Sequence, residues 1–490
     1  MNKENKLNNF NSEFIKKNKI LFSNNFRCNT TFYELHKKYD NFSNEKLNYL
    51  SIKAKIAGRI ITKRIMGKAS FVTIQDINGK IQLYITENNL PLGIYSNFFK
   101  KWNISDIVGV HGILFKTKTG ELSLKCYKLF FIKKSKKKLP DKYHGLINQE
   151  ICYRQRYLDL ISNNKSRKIF KIRFKLIQEI RNFMIKKKFI EVETPMIHNI
   201  PGGASARPFI THHNTLNIDL YLRIAPELYL KRLLIGGFTK IFEINRSFRN
   251  EGISLKHNPE FTMMEAYVSY SNYNDAMNLI QNLLKKVVKK IFNTNFIKNK
   301  NEIFDFSKPF KKISMQKSIC LYNKNIKLND LFSLKKLKII SKSLDINIQK
   351  NWGLGKIQTE IFEKTVENNL IQPTFIVDYP LEVSPLAKKN DKNEFFAERF
   401  EFFLGGQEIG NGFSELNDAD EQKYRFKEQI IKKNFTENYF LYDKDYITAL
   451  EYGLPPSSGI GIGIDRLIML LTNSNNIRDV ILFPTLKPNS

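Results

Sequence analysis

Near its C-terminal end the chain reads Gly459-Ile460-Gly461-Ile462-Gly463. The alternation has period two and therefore marks a strand. One face of that strand carries isoleucine for a core, and the other carries no side chain at all. A bare strand face lets a flat ligand approach the backbone. These glycines are not a dinucleotide fingerprint, because position 464 is Ile and position 466 is Arg, so a third glycine at the required offset is missing. A phosphate-cradling GxxxxGK[ST] loop is absent from the sequence. From about Asp465-Arg466 a helix follows, with Leu467, Met469, Leu470 and Leu471 apolar.

Residues 240–268 supply a second constraint. A strand from Lys240 to Phe248 leads into Arg249-Asn250-Glu251-Gly252 and a loop through His257-Asn258-Pro259, after which a second strand starts at Glu260. Period two puts Phe261, Met263, Glu265 and Tyr267 on one face. A carboxylate between aromatic rings suits a cationic ligand, or else a half-exposed strand with a salt-bridged glutamate. Farther on, Gly405-Gly406 can form a two-residue hairpin turn that pairs Phe403 with Glu408. Glu401 and Glu408 then share one side on neighbouring strands. Asn411, Phe413 and Glu415 have the opposite parity, so facing the same side requires a bulge near Gly410 or Gly412.

Ahead of this region, segments 52–61, 71–77, 80–86, 106–116 and 121–131 have the β-branched and aromatic content of short strands. Ile77-Asn78-Gly79-Lys80 signals a tight hairpin and Lys118-Thr119-Gly120 a second turn. Five short strands in this span predict a small barrel of the oligonucleotide-binding (OB) type. Three regions follow: a loosely helical leader over 1–50, the barrel over 51–145, and a larger α+β domain over 146–490. Apolar spacing predicts helices over 166–188 and 272–292, and residues 294–350 read as a basic helical insertion. The run Lys133 to Lys138 is either a solvated linker or an RNA contact.

Lys and Arg number 80 against 47 Asp and Glu, for a formal net charge of +33. That excess makes a polyanion the first partner to consider, although AT-rich codon usage also enriches Lys, Asn, Ile and Phe. A 42% hydrophobic content excludes wholesale disorder. Cys28, Cys126, Cys152 and Cys320 lie too far apart for a CxxC pair, which fits a reducing cytoplasm rather than a disulfide scaffold or a cysteine zinc site. No apolar run of membrane-spanning length occurs, and the leader lacks an apolar signal core.

Phe248-Arg249-Asn250-Glu251 with Phe261 resembles motif 2 of the class II aminoacyl-tRNA synthetases. Gly459 to Arg466 resembles motif 3, and Phe189 to Pro195 resembles motif 1. Three longer strings are similar to the lysyl enzymes within that class: Pro201 to Phe209, Ala225-Pro226-Glu227-Leu228, and Gly410 to Asp418. The resemblance runs from about residue 50 onward and is weak across 294–350. It departs at Lys188, where the family usually has Gly, and at Gln407, where a basic residue is common.

The resemblance implies an antiparallel catalytic sheet flanked by helices, a homodimer paired through motif 1, and a cytoplasmic enzyme that joins L-lysine to tRNA(Lys) using ATP and several Mg²⁺ ions. Its alternatives are a related ligase that lysylates a translation factor and a catalytically inactive RNA-binding paralogue. By motif position, Arg249 and Arg466 would be the catalytic cations. Glu251, His257, Asn258 and Phe261 would join them around ATP. Glu401 and Glu408 would hold Mg²⁺ against phosphate oxygens. Gly203, Glu227, Glu265, Tyr267, Asn411, Phe413 and Glu415 would bind lysine. Arg64, Phe71, Gln82 and Glu121 on the barrel would read the anticodon, with Phe71 stacking on a base.

Overall fold

The computed structural model describes residues 25–140, 148–204, 206–433 and 442–488. Residues 1–24 of the leader, Asp141 at the expected chain break and Ser205 in the Pro201–Phe209 string lie outside them. The chain divides into two compact units, one up to Arg167 and one from Lys168. Among the described residues no helix is long and apolar enough to cross a membrane.

In the first unit, β1 (Lys53–Met66), β2 (Ala69–Gln75), β3 (Lys80–Thr86), β4 (Ile107–Lys116) and β5 (Leu122–Lys133) close a barrel in the order β1-β2-β3-β5-β4. Alternation builds it: Ile56, Ile60, Val72, Ile74, Leu83, Ile85, Val110 and Leu124 point inward and are fully buried. The leader is firmer than expected from Thr31 onward. Thr31 and Glu34 form a reciprocal capping box on the helix Phe32–Tyr39. Phe32, Leu35 and Leu47 are buried in the barrel core. The Asn78-Gly79 turn also differs from expectation. Gln75 pairs with Lys80, which leaves a four-residue loop. Asp76 Oδ1 closes it by accepting from the Asn78 and Gly79 amides at 2.6 and 2.8 Å, because an Asx side chain can substitute for a backbone turn.

The second unit is built on an eight-stranded sheet. Its strands are β6 (Ile190–Glu191), β10 (Lys240–Phe248), β11 (Glu260–Ser269), β14 (Lys311–Ser314), β15 (Thr374–Val377), β16 (Arg399–Leu404), β17 (Gln407–Ser414) and β18 (Ser457–Gly463). Their order is β14-β15-β16-β17-β18-β11-β10-β6, antiparallel except for a parallel pair at each edge. A small sheet of β7 (Ile197–His198), β8 (Ile210–His213) and β9 (Ile218–Leu222) stands apart. Helices Asn164–Lys186, Tyr273–Phe292 and Ile464–Leu471 contribute to one core with Met264, Ala266, Phe400, Phe402, Ile460 and Ile462. The opposite sheet face keeps the residues of the other parity. Residues 294–350 are not a purely helical insertion. They begin with the hairpin β12 (Phe296–Asn299) and β13 (Glu302–Asp305), then supply edge strand β14 before turning helical.

Lys188 has φ +64°, a left-handed conformation that glycine adopts without steric cost. The usual glycine at this place therefore answers a backbone requirement. The start of the 464–471 helix is tied to β11 by Arg173. Its guanidinium pairs with Asp465 and donates to Thr262 Oγ1 at 3.0 Å, while Asp465 Oδ2 accepts from the Thr262 amide at 2.7 Å.

Candidate active site

Register assembles the site. Glu265 pairs with Gly461, Gly461 with Asn411 and Asn411 with Glu401, so one row crosses β11, β18, β17 and β16. The next row carries Tyr267, Gly459, Phe413 and Arg399. The bulge required by the parity argument falls between Phe402 and Phe403, opposite Ile409, just before Gly410. It brings Asn411 and Phe413 to the face shared with Glu401. The bare glycine face is the centre of that surface. A Cβ on Gly459 would strike Glu415 and Tyr267, whereas one on Gly461 would meet Met263, Asn411 and Glu265 at 3.3 Å or more.

Two cavities lie on this face. The larger, about 300 Å³, is walled by Gly203, Glu227, Glu265, Tyr267, Asn411 and Phe413. Its acids are buried. Tyr267 donates to Glu265 Oε2 at 3.0 Å. Burial, reinforced by the Glu227 charge, pushes Glu265 up to about 8. Glu415 is absent from that wall. It is buried behind it, with Oε2 2.5 Å from Lys231 Nζ, and Lys231 also reaches Glu227 Oε1 at 2.7 Å. Burial raises Glu415 even against the pull of Lys231, and Glu227 adds to the rise.

The smaller cavity, about 170 Å³, is lined by Glu251, His257, Asn258, Phe261, Glu408 and Arg466, among others. Arg466 donates to the Glu408 carbonyl at 2.9 Å, and its other terminal nitrogen lies 3.0 Å from His257 Nε2. Since guanidinium only donates, Nε2 accepts, and the imidazole proton sits on Nδ1 facing Ser254 Oγ at 2.9 Å. Burial and the Arg466 charge both lower the His257 pKa, which favours that neutral form. Asn258 is committed to the fold. Its amide donates to the Glu260 carbonyl at 2.6 Å and accepts from the Thr485 amide at 3.3 Å.

Arg249, Met263, Asn411 and Gly461 line both cavities. The Arg249 guanidinium lies 5.1 Å from the Phe261 ring centroid. Among the described residues it has no ion pair, and its Nε is buried without a hydrogen-bond partner. A desolvated, unpaired cation at the junction of two cavities is suited to an anionic group held there.

Glu401 accepts from Arg399 at 2.6 Å and from Tyr379 at 2.7 Å. Burial lifts it to about 7 against the pull of Arg399, with the Glu408 charge adding to the rise. Each Glu401 oxygen retains a lone pair, and Glu408 is half-exposed, so a dication between them would relieve the repulsion. Among the described residues no group of three or more acidic, His or Cys side chains is arranged to hold a metal ion. The pair thus fits an ion that takes few protein ligands and completes its shell with phosphate and water.

The comparisons with known proteins follow the same lines. The profile for class II tRNA synthetases (D, K and N) matches residues 148–487, and that for the OB-fold nucleic acid binding domain matches 54–132. The chain is 58% identical to the lysine–tRNA ligase of Wigglesworthia glossinidia brevipalpis over 97% of its own length and 96% of the relative's. It is 59% identical to that of Buchnera aphidicola subsp. Schizaphis graminum, covering 96% and 94%, and 56% identical to that of Photorhabdus laumondii, covering 97% and 94%. The chain belongs to the lysine–tRNA ligases of class II. It is an ATP-dependent aminoacyl-tRNA ligase with an amino-terminal OB-fold barrel.

In this ligase the barrel residues singled out from sequence meet on one outer face. Arg64 pairs with Phe71 across β1 and β2, and Thr73 with Gln82 across β2 and β3. Ser123 Oγ lies 2.9 Å from Gln82 Oε1 and 3.2 Å from the Glu121 carbonyl, linking those two positions. Two rings were missed in the sequence reading. Tyr84 is 5.1 Å from Phe71 and 5.7 Å from Phe115, so three aromatics line up across the sheet. Both rings lie on the less buried side of the alternating strands β3 and β4, but only the closed barrel makes them neighbours. Lys231 was missed as well, since a single lysine on a helix reads as a solvated one.

Proposed function

We propose that the larger cavity takes L-lysine, the smaller one ATP, and that Arg249 serves the atoms that react between them. The observation that carries this is the Arg249 guanidinium, without an ion pair and with its Nε buried, lining both cavities. The lysine carboxylate attacks the α-phosphorus, the bond from that phosphorus to the bridging oxygen breaks, and pyrophosphate leaves. Negative charge accumulates on the five-coordinate phosphorus, where a planar guanidinium offsets it. Arg466, braced by Glu408 and neutral His257, faces the outgoing phosphates, and Phe261 supplies a face for adenine. Glu401 and Glu408 would hold Mg²⁺, whose charge assists the same departure. A hydroxyl at the tRNA 3′ end then attacks the lysyl carbonyl and AMP leaves.

Selection of lysine follows from charge. Glu227 suits the α-ammonium, Asn411 and Arg249 the carboxylate, and Glu265, Tyr267 and Glu415 the ε-ammonium. An acidic pocket inside a chain of net charge +33 is a local inversion that a dicationic amino acid explains. The barrel face of Arg64, Phe71, Gln82 and Glu121, extended by Tyr84 and Phe115, suits the unstacked bases of the tRNA(Lys) anticodon. The family also supports a cytoplasmic homodimer paired through Phe189 to Pro195. Lysine-dependent ATP–pyrophosphate exchange, measured beside lysine charging of tRNA(Lys), tests the reading. Both activities are expected. Exchange driven by another amino acid, or exchange without charging, overturns it.

A further inference from the structure

A lysine of the protein itself sits among the acids read as receptors for lysine. The helix Glu227–Ile235 places Lys231 one turn after Glu227, wholly buried, with Nζ 2.7 Å from Glu227 Oε1 and 2.5 Å from Glu415 Oε2. Its ammonium also lies 5.3 Å from the Phe413 ring centroid. Glu227 and Glu415 are the residues assigned to the substrate's α- and ε-ammonium groups. One resident ammonium therefore ties both acceptors together.

Four elements present groups to Lys231 or to its partner Glu415. Glu227 is on its own helix, Phe413 and Glu415 come from β17 and its end, and Tyr446 comes from the helix Lys444–Glu451. Glu265 and Tyr267 on β11 complete the shell around Glu415. Burial lowers the pKa of Lys231, but Glu227 and Glu415 outweigh it and hold it protonated. Without Lys231, three buried acids would face each other, and each would favour its neutral form.

We propose that Lys231 is a positioning residue for the substrate, its ammonium clamping the Glu227 and Glu415 side chains where the two ammonium groups of lysine meet them. This rests on the reading of the larger cavity as the lysine site. Lys231 touches acceptors rather than reacting atoms, so its removal should act on lysine binding and its pH dependence and leave ATP use alone.

The test is a lysine titration of ATP–pyrophosphate exchange across the neutral range, on the full-length enzyme and on Lys231→Met, Lys231→Gln and Lys231→Arg. Lys231→Met should raise KM for lysine at least about tenfold, with kcat and the ATP KM within about threefold. The acid limb of kcat/KM for lysine should move up by about one pH unit, because the acceptors then ionise only at higher pH. Lys231→Gln keeps hydrogen-bond donors without the charge and should show the same shift, while Lys231→Arg, which retains charge, should stay near wild type. A wild-type lysine KM and pH profile in either neutral variant overturns the proposal. So does an equal loss in all three with no pH shift, which would mark Lys231 as packing only. Should a single neutral variant fail to fold, the pair Lys231→Met/Glu415→Gln leaves fewer buried charges unpartnered. It should lose no more than Glu415→Gln alone, and an additive loss overturns the proposal. If wild type does not activate lysine, the cavity reading itself has failed. If it does and the Lys231 variants match it, only this inference has.

Discussion

Glu265 and Asn411 stand opposite the same residue, Gly461, from the strands on either side of it. The floor between an acid and an amide is therefore bare backbone, and both cavities reach it. A methyl group there meets its nearest neighbours no closer than 3.3 Å, so Gly461→Ala should fold normally. It should nevertheless reduce ATP–pyrophosphate exchange by at least about tenfold, since about 1.4 kcal/mol of lost transition-state fit suffices. Thermal unfolding measured beside exchange checks this. Full activity in the alanine variant would mean that no ligand approaches that strand.

Glu415 reads the ε-ammonium only if it shares its carboxylate between Lys231 and the substrate. A charge-assisted hydrogen bond in a buried site contributes about 1.5–3 kcal/mol, and an ammonium left without an acceptor costs more. Glu415→Gln should lower kcat/KM for lysine by roughly a hundredfold or more, with ATP affinity little changed. A Gln variant within a fewfold of wild type would show that Glu415 serves only as the partner of Lys231.

The buried acids also fix a pH dependence. Glu265, at about 8, is largely protonated at neutral pH in the empty site. An ammonium bound beside it favours the carboxylate, so its pKa falls on binding and a proton leaves. Lysine binding should therefore release protons near neutral pH and tighten as pH rises toward about 8. Isothermal titration in two buffers of different ionisation enthalpy measures the released proton directly. Proton uptake, or affinity that falls over this range, would place a different group in control.

On the barrel, Phe71→Ala and Tyr84→Ala should each weaken tRNA charging and leave exchange intact, because base stacking is worth about 1–3 kcal/mol per base. Tyr84 is the sharper test, being packed between two other rings on the outer face. Equal loss of both activities would indicate a folding defect in the barrel.

Much of this was legible from period and turn chemistry. The glycine–isoleucine alternation and the Gly405-Gly406 turn, both glycines at positive φ, fixed the parity of Gly461, Glu401 and Glu408 before any tertiary contact was known. The bulge could be narrowed to the neighbourhood of Gly410 or Gly412 but not fixed at Ile409, since that choice depends on how Phe402 and Ile409 enter the core. Asn78-Gly79 marked the hairpin but not its loop length, because the Asp76 carboxylate takes the turn amides and closes a four-residue loop. The 294–350 stretch hid its strands because edge strand β14 is only four residues long and gains its partner from β15, far along the chain. The Lys231 clamp joins residues 227, 231 and 415, and nothing local to the helix distinguishes it from a solvated lysine.

The left-handed residue at the end of the 164–186 helix yields a prediction about stability alone. The Phe189 amide bonds the Met184 carbonyl at 3.1 Å and the Lys188 amide bonds the Ile185 carbonyl at 2.9 Å, a helix stop that needs positive φ between them. Lys188 supplies φ +64° and is exposed, so its side chain gains little packing in return. An L-residue in this conformation costs about 1–2 kcal/mol, whereas glycine adopts it freely but gives the unfolded chain more freedom, worth about 0.5–1 kcal/mol. Lys188→Gly should therefore stabilise the catalytic unit by about 0.5–1 kcal/mol, and Lys188→Ala, which retains a Cβ, should not. Urea unfolding followed by a probe in this unit should show a higher midpoint at unchanged slope for the glycine variant, with exchange activity unaltered. A lower midpoint would mean that the Lys188 side chain makes a compensating contact in solution.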